Sequence, residues 1–185
     1  MTRRTSKHPA TADPVPVGGP RSRSARDPHL TREEILALLR EAPGRIAGAA
    51  SRVPAADLRT APAPGVWSVV DILAHLRACA DVWGDPISVI LAEDRPTIRA
   101  VSPATRLRGT DYRDQSFDVS FRAFSDQRSD LIATLEPLSP ETWDRSAIVT
   151  GAGAVLERTL HWYALGLAAH ERSHVKQIVR LTGGG

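Results

Sequence analysis

Cysteine is nearly absent: Cys79 stands alone in 185 residues. A single thiol excludes an intrachain disulfide framework and fits a reducing cytosol. Long apolar runs are missing too. The most apolar stretches are interrupted by charges or histidines, so no membrane-spanning helix is expected. The first residues are basic but lack the apolar segment of a secretory signal. These absences predict a cytoplasmic protein with no membrane partner. A basic excess is also missing from most of the chain, in spite of a pI of 9.6. Residues 1–28 hold six basic side chains against Asp13 and Asp27, a net of +4, and the whole chain is +3, which leaves about −1 for residues 29–185. With no aromatic RNA-binding motif either, nucleic acid is not an expected partner.

The chain is long enough for one domain with its own core. Residues 1–28 are rich in Pro, Gly, Ser and Arg and have almost no large apolar side chains. They read as a disordered basic tail, and residues 29–185 read as the folded domain.

Within that domain the periodicity predicts four helices and no strand. Thr31 and Glu34 form a capping-box pattern, followed by an apolar stripe of Ile35, Leu38, Leu39, Ala42 and Ile46. Pro43 is expected to kink or break this first helix. Ser68 and Asp71 cap a second helix that carries Val69, Ile72, Leu73, Leu76, Val82 and Trp83. It reaches about Leu91, with a bend expected at Gly84 and Pro86. A long polar connection from Glu93 to about Ser116 follows, of the kind that often carries function. The third helix shows an alternating four–three stripe of Phe117, Phe121, Phe124, Arg128, Leu131 and Leu135, with Arg128 its one charged member. Residues 144–156 read as a loop, and a fourth helix is expected from about Leu156 to Leu181. Four long helices imply an all-α four-helix bundle.

The chemistry gathers on histidines. His170, Glu171 and His174 spell H-E-x-x-H, which on a helix sets two imidazoles on one face with a glutamate between them. In a zinc protease the third ligand lies downstream, but residues 175–185 offer no Glu, His or Asp. A third ligand could instead come from upstream. His75, between Leu73 and Leu76 on the second helix, is the candidate, because two histidines on one helix and one on another can converge in a bundle core. Hydrogen-bonded core histidines remain the plain alternative. His161 precedes His170 by nine residues, roughly half a turn round the helical wheel, and faces elsewhere.

Two segments carry a family resemblance. "GVWSVVDILAHLRACADVW" has Trp67, Ser68 and His75 spaced as in the second helix of the DinB-like superfamily of metal-binding four-helix bundles. "RTLHWYALGLAAHERSHVKQIVRL" resembles that family's last helix, with His170, His174, Gln177 and Ile178. The likeness spans roughly residues 31–182. It implies a divalent metal, Zn2+, Ni2+ or Fe2+, held by His75, His170 and His174. Some members of this wider group, the bacillithiol transferases and mycothiol-dependent maleylpyruvate isomerases, activate a low-molecular-weight thiol on the metal. The resemblance therefore implies a small-molecule substrate and a transferase, isomerase or hydrolase reaction, with a thiol such as mycothiol as cosubstrate. The runner-up is a non-catalytic metal- or ligand-binding stress-response bundle. A homodimer is carried as one option for assembly.

Around this centre, Glu171 is either a base beside the ligands or a polar-face residue about 100° from His170, and the second reading is favoured. Tyr163 is the candidate for a substrate-contacting hydroxyl. Cys79, one turn after His75, reads as buried and inert, and Trp67, Trp83, Trp143 and Trp162 as core or cavity-lining packing residues. Arg128 is expected to pair with a buried carboxylate such as Asp71 or one near Asp130, with an anionic substrate as the less favoured alternative, and Asp111 and Tyr112 to line the mouth of the site. Metal is expected to be lost as the pH falls through the ordinary histidine range near ~6.5.

Overall fold

The computed structural model describes residues 30–183, so the expected tail over residues 1–28 lies outside the described residues. Four long helices form the body: α1 (Arg32–Ala50), α2 (Val69–Ala92), α4 (Phe117–Leu135) and α6 (Leu160–Leu181). Two short helices, α3 (Pro103–Arg108) and α5 (Pro140–Trp143), lie in the connections. The four-helix bundle is as expected, and so are its starts. Thr31 and Ser68 each close a full capping box, with Glu34 and Asp71. Helix α1 runs unbroken through Pro43 and α2 through Pro86, so the expected break at Pro43 does not occur. Packing of the apolar faces outweighs the backbone bond each proline removes.

The cap of α2 is the most buried. Ser68 is 2 % exposed, and its hydroxyl accepts from Asp71 N at 3.1 Å and donates to Asp71 Oδ2 at 2.7 Å. Ser68→Ala should lower unfolding stability by about 1–2 kcal/mol, read from the midpoint of urea denaturation. A change below a few tenths would show that the cap is dispensable.

The expectation of no strand is wrong. β1 (Thr97–Arg99) pairs in parallel with β2 (Ser146–Thr150), and β2 pairs antiparallel with β3 (Leu156–Thr159). The long connection after α2 contains β1 and α3. The supposed loop at 144–156 holds β2 and its turn, and α6 begins four residues later than expected, after β3. These strands are three to five residues long, too short for alternation to register above noise.

The core falls into two apolar lobes along the bundle. One gathers Leu39 from α1, Trp83, Ile87 and Ile90 from α2, Leu135 from α4, and Leu160, Tyr163 and Leu167 from α6. The other gathers Ile46, Ile72, Leu73, Leu76, Phe124, Val175 and Ile178. On α4 and α6 the residues between the two lobes include Arg128, His170, Glu171 and His174, and His75 of α2, next to Leu76 of the second lobe, meets His170. The bundle thus carries a polar layer across its middle, and the candidate chemistry sits there.

Candidate metal centre

Position 75 lies on the inward face of α2, and positions 170 and 174 are one turn apart on α6, which packs against α2. One ring nitrogen from each of His75, His170 and His174 lies within 4.8 Å of the others; this grouping joins no further Cys, Asp or Glu among the described residues. The Nε2 atoms of His75 and His170 are 2.9 Å apart. Two nitrogens bound to one ion at about 2.0–2.1 Å each stand about 3.3–3.4 Å apart at the tetrahedral angle and about 2.9 Å apart at a right angle. The same separation suits an N–H···N hydrogen bond between the two rings. The three rings meet edge to face, with centroids 4.6–5.2 Å apart.

The surroundings prepare these rings for ligation. A metal ligand must be a neutral imidazole with its free nitrogen aimed inward. Burial, then repulsion from His174 and Arg113, lowers the pKa of His75 to about 4. Burial, then repulsion from the other two rings, lowers that of His170 to about 3. Burial lowers His174 as well, opposed by its bond to Gln177. His174 Nδ1 lies 2.9 Å from Gln177 Oε1. The amide oxygen accepts the Nδ1 proton and so leaves Nε2 free. Trp67 flanks His75 and His174 with centroids at 4.9 and 6.1 Å, and Trp83 stands edge-on to His170 at 5.1 Å. These indoles wall the cluster and help keep water from it, in line with the core or cavity-lining role expected of them.

The donor set therefore fits a divalent ion. Partners that hold a ligand imidazole typically change metal affinity 10–100-fold when removed. Gln177→Ala should accordingly weaken Zn2+ or Ni2+ binding about 10–100-fold with little change in fold, as titration calorimetry and circular dichroism together would show. Unchanged affinity would leave Gln177 with no orienting role.

Several expectations need correction. Glu171 is not a polar-face residue. It is 1 % exposed and forms a buried ion pair with Arg128, Nε to Oε2 at 2.7 Å. Burial raises its pKa and Arg128 opposes the rise. The carboxylate partner of Arg128 is thus Glu171, not Asp71, which is committed to the α2 cap. Helix α4 brings Arg128 against α6 at the level of the polar layer, a placement that only the packing fixes. Tyr163 does not join the histidines. It stands edge-on to Trp162 at 5.1 Å and lines a cavity of about 620 Å3. Tyr112 donates to Asp81 at 2.9 Å and lies beneath Arg77, and Asp111 accepts from Gln115. Both hold the loop rather than line the centre.

Cys79 is buried as expected, with burial pushing its thiol up to about 12. Its sulfur lies 3.4 Å from His75 Nε2 but does not fall within the converging set. His161 faces away, within 3.1 Å of the Leu30 carbonyl.

Sequence comparison agrees with this geometry. A family model described as the DinB superfamily matches residues 38–178. Among solved structures, YfiT from Bacillus subtilis, described as a probable metal-dependent hydrolase with an unusual four-helix bundle topology, superposes with a TM-score of 0.69 at 20 % identity, over 90 % of this chain and 92 % of that one. At such identity the likeness concerns the fold. No curated protein matches the sequence significantly.

Proposed function

The chain belongs to the DinB superfamily, and we propose that it is a metal-dependent enzyme holding one divalent ion on His75, His170 and His174 and acting on a small molecule. The observation that carries the reading is the convergence of three half-buried, neutral imidazoles from two helices, one of them oriented by Gln177. A divalent ion held there would supply Lewis acidity, making a water or a low-molecular-weight thiol nucleophilic near neutral pH. Three neutral ligands leave the ion its full charge and room for an exogenous group. Trp67 and Trp83 limit access of bulk water. Hydrolysis and thiol transfer are the two reactions this centre suits.

The buried pair bears on that choice. In an H-E-x-x-H protease the glutamate is free to take a proton from the attacking water. Here Arg128 engages Glu171, so a base role for Glu171 is disfavoured. A thiol, which coordination can ionise without a protein base, fits the chain's own residues better. The relative described as a hydrolase favours water instead. A cytosolic location, where such thiols are reduced, is part of the reading, and its support is the lone buried cysteine.

The test begins with metal analysis of purified protein, where close to one divalent ion per chain is expected. Activity against a panel of esters, amides and electrophiles, with and without mycothiol, bacillithiol or glutathione, should vanish on chelation and return on adding Zn2+, Ni2+ or Fe2+. No bound metal, and none taken up by the metal-free protein, would end the proposal. Proton competition gives a second check. Because the His75 and His170 pKa values lie at about 4 and about 3, few protons need displacing at pH 7. Metal should then persist through the ordinary histidine range and leave only as the pH falls toward 4, later than the sequence alone suggests. Dialysis over a pH series with metal analysis reads this directly, and half-loss near pH 6.5 would contradict it.

A further inference from the structure

The cavity of about 620 Å3 shares Trp83 with the histidine cluster, since Trp83 lines it and stands 5.1 Å from His170, and its size falls within the range of small-molecule sites. Its floor is built by register. Ile98 pairs with Val149, and Val149 with Leu156, so one apolar residue from each strand forms a row along the cavity. Trp83, Trp162 and Tyr163 complete an apolar and aromatic wall.

Its charges are unbalanced. Arg106 is neutralised by Asp85. Arg158 alternates with Leu156 onto the same face of β3, lies over the Trp162 ring at 4.5 Å, and has no carboxylate partner among the described residues. Arg99 at the rim has none either. Its stem packs on Gly151, where φ is +81° and an added Cβ would come within 3.2 Å of Arg99 Cγ, so the turn after β2 is shaped to accept it. An apolar cavity beside two uncompensated guanidinium groups suits a molecule with an apolar body and one negative end.

We propose that this cavity binds an organic acid with an aromatic or branched apolar body, its carboxylate meeting Arg158 and Arg99. The aromatic body packs against Trp162 and Trp83, with Tyr163 beside them in the lining. Through Trp83 such an acid is held beside the candidate metal centre, and in that respect the inference rests on the proposed function and names its substrate class.

Binding itself does not need the metal, and that separates the two claims. The full chain is titrated with 2-naphthoate and with 2-naphthamide, following tryptophan fluorescence and heat. The acid should bind about tenfold or more tightly than the amide. Arg158→Gln should remove most of that preference, and Arg99→Gln a smaller part. Protein treated with a chelator should bind the acid as the untreated protein does, whether or not the metal reading survives. Equal binding of acid and amide, an Arg158→Gln variant that keeps the preference, or no binding of either probe at millimolar concentration would each overturn the proposal. Arg158→Lys guards against a merely structural effect: it keeps the charge and should restore part of the preference.

Discussion

Replacing His75 with alanine should lower the affinity for Zn2+ or Ni2+ by more than ~100-fold, beyond the range typical for residues that only support a ligand, and take any metal-dependent activity with it. The reason is geometric. His75 is the only one of the three converging histidines that α2 supplies, and without it α6 offers two ligands one turn apart. Two imidazoles do not make a closed facial site. His170→Ala and His174→Ala should behave alike. His161→Ala should not, because that ring turns toward the Leu30 carbonyl and Trp143. Calorimetric titration of each metal-free variant decides the matter. A His75→Ala protein that binds one ion with unchanged affinity would show that the helices do not share a site.

The second large effect is on stability. Arg128 and Glu171 are each 1 % exposed, and Arg128 Nη2 and Glu171 Oε1 have no hydrogen-bond partner. Removing one member leaves the other charge buried and uncompensated, which typically costs about 3–5 kcal/mol. Arg128→Leu or Glu171→Leu should therefore destabilise strongly in urea denaturation. The double variant Arg128→Met, Glu171→Leu replaces both charges with apolar groups and should regain most of the loss. Single variants within about 1 kcal/mol of the unaltered protein would mean that the pair is not buried as described. Glu171→Gln sharpens the functional side. It keeps the shape of the side chain, so metal content should be retained. If turnover per metal-loaded molecule then falls more than ~100-fold, Glu171 acts as a general base after all and water is the nucleophile.

The layered core explains why such a costly pair is tolerated. The polar layer crosses α4 and α6 between two apolar lobes and meets His75 of α2. A slip of α6 by one turn would bring His170, Glu171 or His174 against Leu or Ile side chains. We read the pair as fixing the level of α4 against α6, and so of His170 and His174 against His75. Fixing registry is the best-attested use of buried polar groups.

What the sequence by itself determined was local. The apolar stripes of α1, α2, α4 and α6, with periods set by helix geometry, are one-dimensional signals, and so are the Thr31–Glu34 and Ser68–Asp71 caps, whose partners lie three residues apart. The His170–His174 spacing is equally local, since i and i+4 share a helical face wherever the helix goes. Naming His75 as the third ligand took more than spacing, because its partners lie 95 and 99 positions away, and the resemblance to a metal-binding family supplied the link. What only the tertiary structure decided were the pairings across elements. Glu171 looked like a polar-face residue because the wheel does not show that α4 presents Arg128 to it. Tyr163 and Trp83 carry no local mark that sends one to a cavity wall and the other to the boundary between cavity and histidines. β1, β2 and β3 escaped notice because each is held by partners in other strands rather than by a pattern of its own. A periodicity reports which face of an element is buried; what that face meets depends on how the elements pack.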